Sequence, residues 1–306
     1  MKIADLEIGT VGLAPLAGVT DLAMRTLCKR FGADFTVTEM VSARGLIQKG
    51  INSQALLAVA ENEGPVGVQL FGYDPFVMSD AAALPELKKF DFIDINMGCP
   101  VPKVTKTGAG SALMKTPERA ATLVACVKRA SGKPVTAKFR LGWDDGSKNY
   151  VAFGKMLEDA GVDAVTLHAR TKEQGYAGKA DWDAIGELAA ALRIPVIANG
   201  DVTDPESYAE CKRVTGCECF LIGRGAMGRP WLFSEVKGER AEWNAGEIAR
   251  EHFELMRTTY GDRYALVNMR HHLGHYLRGR PGASALRGIV NTCTTVDELR
   301  ALLNRM

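Results

Sequence analysis

The stretch DINMGCPVPK, residues 94–103, places a thiol between a glycine and a proline where an apolar run ends. Proline lacks an amide hydrogen and confines the residue before it to extended conformations, so Cys99 belongs to a turn beyond that run. An unperturbed thiol titrates near pH ~8.5, is protonated at neutral pH, and can act as a general acid. A thiolate nucleophile would need an activating base, and the sequence pairs no histidine with this cysteine. Lys138 lies in PVTAKFR, residues 134–140, a run with the composition of a buried strand. A buried ammonium is costly, so Lys138 must meet an anion, a carboxylate or a covalent partner. Gln69, in PVGVQL (65–70), offers a donor and an acceptor that suit a planar imide edge such as a flavin's. A lysine beside the same ring would stabilise its anionic reduced state. This pairing favours flavin chemistry over a Schiff-base lysine of an aldolase-like enzyme, which stays open as the alternative.

Two glycine-bearing stretches, NGDVTD (199–204) and IGRGAMGRP (222–230), read as a phosphate site. Glycines let backbone amides approach an anion, a following helix N-terminus adds its dipole, and Arg224 adds charge. Gly200 and Gly223 would equally suit simple turns, and Arg224 tips the reading toward phosphate. His168, in AVTLHAR (164–170), reads as a ligand contact because of the polar company it keeps at the strand ends. Glu39 and Asp94 read as structural partners of arginines such as Arg44 or Arg140.

The elements that must position these residues are short apolar runs, rich in valine and isoleucine, separated by helix-like patterns. The runs cover residues 11–18, 35–40, 65–70, 92–96, 134–140, 164–170, 195–200 and 219–225. Runs apolar on both faces that alternate with helices mark parallel strands covered by helices. Eight such units predict an α/β fold of the (β/α)8 TIM-barrel type, with an open doubly wound sheet as the alternative. The C-terminal strand ends favour the barrel, because a barrel builds its chemistry there. Read in order they carry Pro15 and Ala17, Glu39, Gln69, Asn96 with Cys99, Lys138 with Arg140, His168 with Arg170, Asn199 with Asp201, and Gly223 with Arg224. A purely structural barrel needs no such polar ring.

After Arg229 the pattern changes to a short helix, a linker and a helix-rich tail, which places a boundary near residue 240. Residues 1–240 are read as the catalytic barrel and 241–306 as a small all-helical domain. The whole chain of 306 residues carries a net charge of only +2, which argues neither for nor against nucleic acid. Its distribution says more: from Ala245 to Met306 there are nine arginines, no lysine and six acidic residues. No apolar run approaches the roughly 20 residues that span a bilayer, and the N-terminus lacks the pattern of a secretory signal, so a cytoplasmic protein is expected. The seven cysteines form no CxxC pair and no metal spacing, so no metal is expected, and all but Cys99 read as buried small hydrophobes.

The motifs APLAGVTD, DINMGCPVPKV leading into GAGSAL, VTAKFRLGW, LHART, IANGDV and IGRGAMGRPWLF follow one another along nearly the whole chain. In that order and spacing they resemble the bacterial tRNA-dihydrouridine synthases, flavin mononucleotide (FMN) enzymes that reduce specific uridines of tRNA. NMGCP is the specific signature, and MRHHLGHYLRGRPGASALR is similar to the B subgroup of that family. The resemblance implies that Pro15, Leu16 and Ala17 line the flavin, and that Gln69 and Lys138 hold its ring edge. It implies that His168, Asn199, Gly200, Asp201, Gly223 and Arg224 hold its phosphate end, and that Asn96 and Arg170 face the uridine or its backbone. NADPH would reduce the FMN, hydride would pass to uracil C6, and Cys99 would give the proton to C5. The target uridine, expected in the D loop, would be extruded from the folded RNA into the pocket.

The tail would grip the tRNA. His271, His275 and Arg278 share a helix face by i, i+4, i+7 spacing, with Arg270 nearby, although a merely solvated face would look the same. No protein partner is called for, and a monomer is expected. Two further readings stay open. A reductase of a free pyrimidine would share fold and cofactor, but the arginine-bearing tail counts against it. A tRNA-binding protein without redox activity would have no need of Cys99, Lys138 and Gln69.

Overall fold

The computed structural model describes residues 1–279 and 282–306; Arg280 and Pro281 of the tail motif lie outside the described residues. Eight parallel strands form the barrel: β1 Val11–Leu13, β2 Phe35–Val37, β3 Val66–Phe71, β4 Phe92–Met97, β5 Val135–Arg140, β6 Ala164–His168, β7 Val196–Asn199 and β8 Cys219–Ile222. Closure is direct, since Phe220, Leu221 and Ile222 of β8 register with Val11, Gly12 and Leu13 of β1. The open-sheet alternative is thereby excluded. Several strands are shorter than the apolar runs that announced them. The run 11–18 yields three strand residues because Pro15 has no amide to continue the ladder, and the chain turns in over the barrel mouth.

Helices cover the outside of the strands: α1 Leu22–Arg30, α2 Pro75–Ala82, α3 Pro117–Ser131, α4 Tyr150–Asp159, α5 Trp182–Ala191 and α6 Pro205–Thr215. Their starts are legible in local chemistry. Asp21 accepts from the Met24 amide at the head of α1, Asp74 caps α2, Asp181 caps α5, and Asp204 forms a capping box with Ser207 at α6. The crossover between β2 and β3 uses two single-turn helices, Ala43–Ile47 and Ile51–Ala55.

Inside the barrel an apolar floor lies beneath a polar upper layer. Phe35, Phe92, Ala164, Ile197, Cys219 and Leu221 form the floor, and Ile3 and Ile8, from an N-terminal hairpin of Lys2–Ile3 with Leu6–Glu7, seal it from below. The two phenyl rings fit because neighbouring strands give way. A Cβ on Gly12 would come within 2.5 Å of the Phe35 ring, and one on Gly67 within 2.4 Å of the Phe92 ring. Gly67→Ala is therefore expected to destabilise the fold by about 1–3 kcal/mol, the usual cost of overpacking a rigid interior. A lowered urea midpoint at unchanged slope would show it; an unchanged midpoint would mean the floor is looser than these contacts imply.

A short helix α7, Leu232–Val236, leads through residues 237–244 to the tail, which comprises α8 Ala245–Tyr260, α9 Asp262–Tyr276, α10 Ala283–Thr292 and α11 Val296–Leu303. The tail does not close a core of its own. Ala23, Leu27 and Phe31 of α1 enter the same cluster as Ile248, Phe253, Met256, Leu273 and Tyr276. Polar contacts pin the seam: Tyr260 Oη accepts from the Leu22 amide at 2.9 Å, and Tyr264 Oη donates to Asp21 at 3.2 Å. Two of the tail's four histidines, His252 and His272, are buried in this bundle with rings 4.4 Å apart. Burial pushes His252 down to about 3, so both serve as neutral packing groups. Among the described residues no helix is long and apolar enough to cross a membrane.

Candidate active site

Alternation along the strands assembles the site. With Phe92 pointing into the barrel, Asp94 and Asn96 follow at period two, as Lys138 and Arg140 follow Thr136. Register then sets neighbours: Gln69 beside Asp94, Asn96 beside Lys138, Arg140 beside His168, and His168 beside Asn199. Above this layer lies a cavity of about 970 Å³, at the upper end of ordinary ligand pockets, that reaches from the barrel mouth to the tail.

Lys138 lines the cavity with its Nζ donating to Asn199 Oδ1 at 2.7 Å, while Asn199 Nδ2 donates to the Leu221 carbonyl at 2.7 Å. Among the described residues no carboxylate forms an ion pair with Lys138. Burial, and then repulsion from Arg140, push this ammonium down to about 7, with Asp94 partly opposing. The cavity thus contains a cation with an unmet need for negative charge. His168 is neutral: burial lowers it well below its ordinary value, and Lys138, Arg140, Arg170 and Arg224 add to the effect.

Cys99 is half-buried at the cavity wall, and burial raises its thiol above the ordinary range, so it is protonated at neutral pH. Its backbone is held from both sides. The Gly98 and Cys99 amides donate to Asn96 Oδ1 at 3.2 and 2.9 Å. The Cys99 carbonyl accepts from the Ser111 hydroxyl at 3.0 Å, and Arg140 Nε donates to the Gly98 carbonyl at 2.8 Å. Gly110 allows this closeness, since a Cβ there would stand 2.8 Å from the Cys99 carbonyl oxygen. The other six cysteines are free; five are buried and Cys126 is half-buried.

Most residues named from the sequence meet at this cavity. Pro15, Leu16, Ala17, Gln69, Asn96, Cys99, Lys138, His168, Asn199, Gly200, Asp201, Gly223 and Arg224 line it from the barrel, and His271, His275 and Arg278 from the tail. Arg170 and Arg270 do not. Arg170 is 1% exposed and donates to the carbonyls of Ala177 and Gly178 and to both oxygens of Asp201, so it braces a loop behind the cavity wall. Arg270 donates to the Cys293 carbonyl at 2.8 Å and ties α9 to the end of α10. Asp201 is itself a brace, holding Arg224 at 3.1 Å as well as Arg170. Asp94, expected to meet an arginine, instead accepts from Gln69 and Thr136.

Sequence reasoning gave no role to Tyr176 and too small a one to Arg140. The Tyr176 ring lies 4.6 Å from the Arg224 guanidinium and 6.0 Å from the His168 ring. It sits in an irregular loop that no periodicity marks. Arg140 was within reach, because it shares its inward face with Lys138 two residues earlier.

A family profile described as Dihydrouridine synthase (Dus) matches residues 12–306. The chain belongs to the dihydrouridine synthase family. Relatives match over most of their length. A probable tRNA-dihydrouridine synthase of Rickettsia conorii is 40% identical over 95% of this chain and 91% of its own. The tRNA-dihydrouridine synthase B proteins of Xanthomonas axonopodis and Vibrio cholerae are 38% and 37% identical, over 99% and 97% of this chain and 94% and 96% of theirs. Solved structures share the fold at much lower identity. Morphinone reductase superposes with TM-score 0.54 at 11% identity over 80% of this chain and 90% of its own, and a 2-naphthoyl-CoA reductase complex with 0.60 at 11% identity over 78% and 51%. The chain is thus an oxidoreductase of that family, and the cavity at the barrel mouth is the candidate site for its chemistry.

Proposed function

We propose that this enzyme reduces a D-loop uridine of tRNA to 5,6-dihydrouridine with FMN as its flavin, NADPH as the reductant and Cys99 as the proton donor. The observation that carries the reading is one cavity holding both a thiol kept protonated by burial and a buried lysine, pushed down to about 7, with which no carboxylate forms an ion pair among the described residues. The lining fits a flavin. Apolar Ala14, Pro15, Leu16 and Met40 suit a flat ring, Gln69, Lys138 and Asn199 suit its polar edge, and Arg224 with Gly200 and Gly223 suits a phosphate. Bound there, FMN would supply the hydride that adds to uracil C6. The remaining work falls to the protein.

Gln69 keeps one amide hydrogen and one oxygen lone pair for the ring edge after bonding Asp94 and Asn96. Lys138 would place positive charge beside a ring that gains negative charge on reduction. Neutral His168 can accept or donate without adding charge. As the C5–C6 double bond becomes single, C5 takes a proton from the Cys99 thiol, and the resulting thiolate recovers one from solvent. The Cys99 turn is fixed by backbone bonds, so the proton is presented from one place.

The tail roofs the same cavity with His271, His275 and Arg278, and Arg278 Nη2 lies 3.3 Å from His275 Nδ1. A uridine extruded from folded RNA would pass beneath them while its phosphates meet Arg278. Arg278→Ala is expected to raise KM for tRNA about three- to tenfold, leave kcat nearly unchanged and lower the salt dependence of binding. An equal loss in kcat would place Arg278 in the chemistry. The enzyme is read as a cytoplasmic monomer.

The decisive experiment incubates the enzyme with FMN, NADPH and unmodified transcript tRNA, followed by nuclease digestion and mass spectrometry. A two-mass-unit gain at one D-loop uridine is expected, with none on free uridine or orotate. Activity on free pyrimidines alone would overturn the proposal.

A further inference from the structure

Asp94 is 3% exposed, carries no share of the chemistry above, and meets no arginine. Its Oδ1 accepts from the Thr136 hydroxyl at 2.6 Å and its Oδ2 from Gln69 Nε2 at 2.7 Å. Gln69 Oε1 accepts from Asn96 Nδ2 at 2.8 Å, and Asn96 Oδ1 accepts from the amides of Gly98 and Cys99. Register puts Gln69, Asp94 and Thr136 side by side on β3, β4 and β5, with Asn96 at the next inward position.

This series of bonds has one direction, set at its upper end by the Gly98 and Cys99 amides, which can only donate, and at its lower end by Asp94. Burial raises the Asp94 carboxyl above its ordinary range, while the bonds from Gln69 and Thr136 and the charge of Lys138 favour its ionised form, which accepts and never donates; a side-chain amide presents a donor at one end and an acceptor at the other. Gln69 must therefore turn its nitrogen to Asp94 and its oxygen to Asn96. Asn96 must then spend its nitrogen on Gln69 and offer its oxygen to the Cys99 turn. Without a fixed acceptor at position 94 both amides can reverse, and a reversed Asn96 would point its NH2 at two backbone N–H groups.

We propose that Asp94 is a positioning residue, the fixed acceptor that orients Gln69 and Asn96 and through them holds the Cys99 turn at the cavity wall. Its consequence for turnover rests on the function proposed above; its consequence for the turn does not.

The test compares wild type with Asp94→Asn and with the double variant D94N/Q69E. In Asp94→Asn the amide at 94 can donate to Gln69 and reverse the series. In the double variant a carboxylate at 69 accepts from both sides, which restores the orientation of Asn96 while the charge moves one strand over. Iodoacetamide labelling of Cys99 is followed by peptide mass spectrometry on the full-length chain stripped of flavin, with half-buried Cys126 as the internal control. Asp94→Asn is expected to speed Cys99 labelling about threefold or more with Cys126 unchanged, and the double variant to bring it back near the wild-type rate. With FMN and tRNA supplied, Asp94→Asn is expected to lower kcat about 10- to 100-fold at nearly constant KM for tRNA, as misplacement of a reacting group does.

A folded Asp94→Asn that labels at the wild-type rate would overturn the proposal, as would a double variant that labels as fast as the single one. If Asp94→Asn does not fold, the double variant, which keeps the buried charge, decides alone: near-wild-type labelling supports the proposal and faster labelling overturns it. Wild-type activity is measured alongside; its absence bears on the functional reading, and the labelling still decides the role of Asp94.

Discussion

Cys99→Ala is expected to fold, to retain flavin and tRNA affinity, and to form dihydrouridine about 100- to 10,000-fold more slowly than wild type. Selectivity of the defect follows from what the substitution removes. Every bond that fixes the turn belongs to the Cys99 backbone or to its neighbours, and alanine keeps all of them. Only Sγ disappears, and with it the proton that burial keeps on the thiol at neutral pH. The hydride step would still have a ring edge and a lysine to support it, but the charge left at C5 would await a proton from water. Pre-steady-state measurement should therefore show flavin reduction by NADPH at the wild-type rate and its reoxidation by tRNA slowed. Cys99→Ser should fall between, because a hydroxyl is a poorer acid held by the same backbone. Wild-type turnover in Cys99→Ala would transfer the proton to another group; His168 would be a poor candidate, since its imidazole is held neutral among four cations.

The eight-unit barrel was legible because parallel strands covered on both faces must be apolar throughout, and that pattern survives without knowledge of the partners. Strand ends were less legible. The same apolar residues continue past the ladder where Pro15, Gly200 and Gly223 turn the chain over the mouth, so those runs of six to eight residues became strands of three or four. Within the site, residues whose direction is set by strand alternation, such as Gln69, Asn96, Lys138 and Asn199, arrived where expected. Residues whose direction depends on the folding of a loop or the packing of a neighbouring helix did not. Arg170 stands two places after His168 on the sequence, yet the fold of residues 171–180 supplies its partners and turns it away from the cavity. Arg270 shares a helix with His271 and points to the other side, where α10 ends. The same dependence hid Tyr176, which reaches the cavity from that loop.

Lys138→Met is expected to weaken flavin binding and to make the bound flavin harder to reduce. In the cavity the ammonium has Asn199 as its neutral acceptor and no carboxylate, and its pKa of about 7 lies well below an ordinary lysine's. A group whose folded value is lowered binds fewer protons in the native chain than in the unfolded one. It therefore penalises folding at pH 7 and below, and the penalty fades as pH rises toward the unfolded value. An anion placed beside Nζ reverses this: binding draws a proton onto Lys138, so affinity for an anionic ring should decline above pH 7 in wild type. Methionine keeps an unbranched side chain one atom shorter and removes the charge. Lys138→Met should thus be more stable at neutral pH, lose the decline in flavin affinity between pH 7 and 9, and lower the two-electron flavin potential by about 30–60 mV. Titration of flavin binding across that pH range, together with potentiometry of the bound flavin, checks each part. A variant with the wild-type potential would place Lys138 away from the reduced ring, and the cation would then serve the phosphate or the uracil.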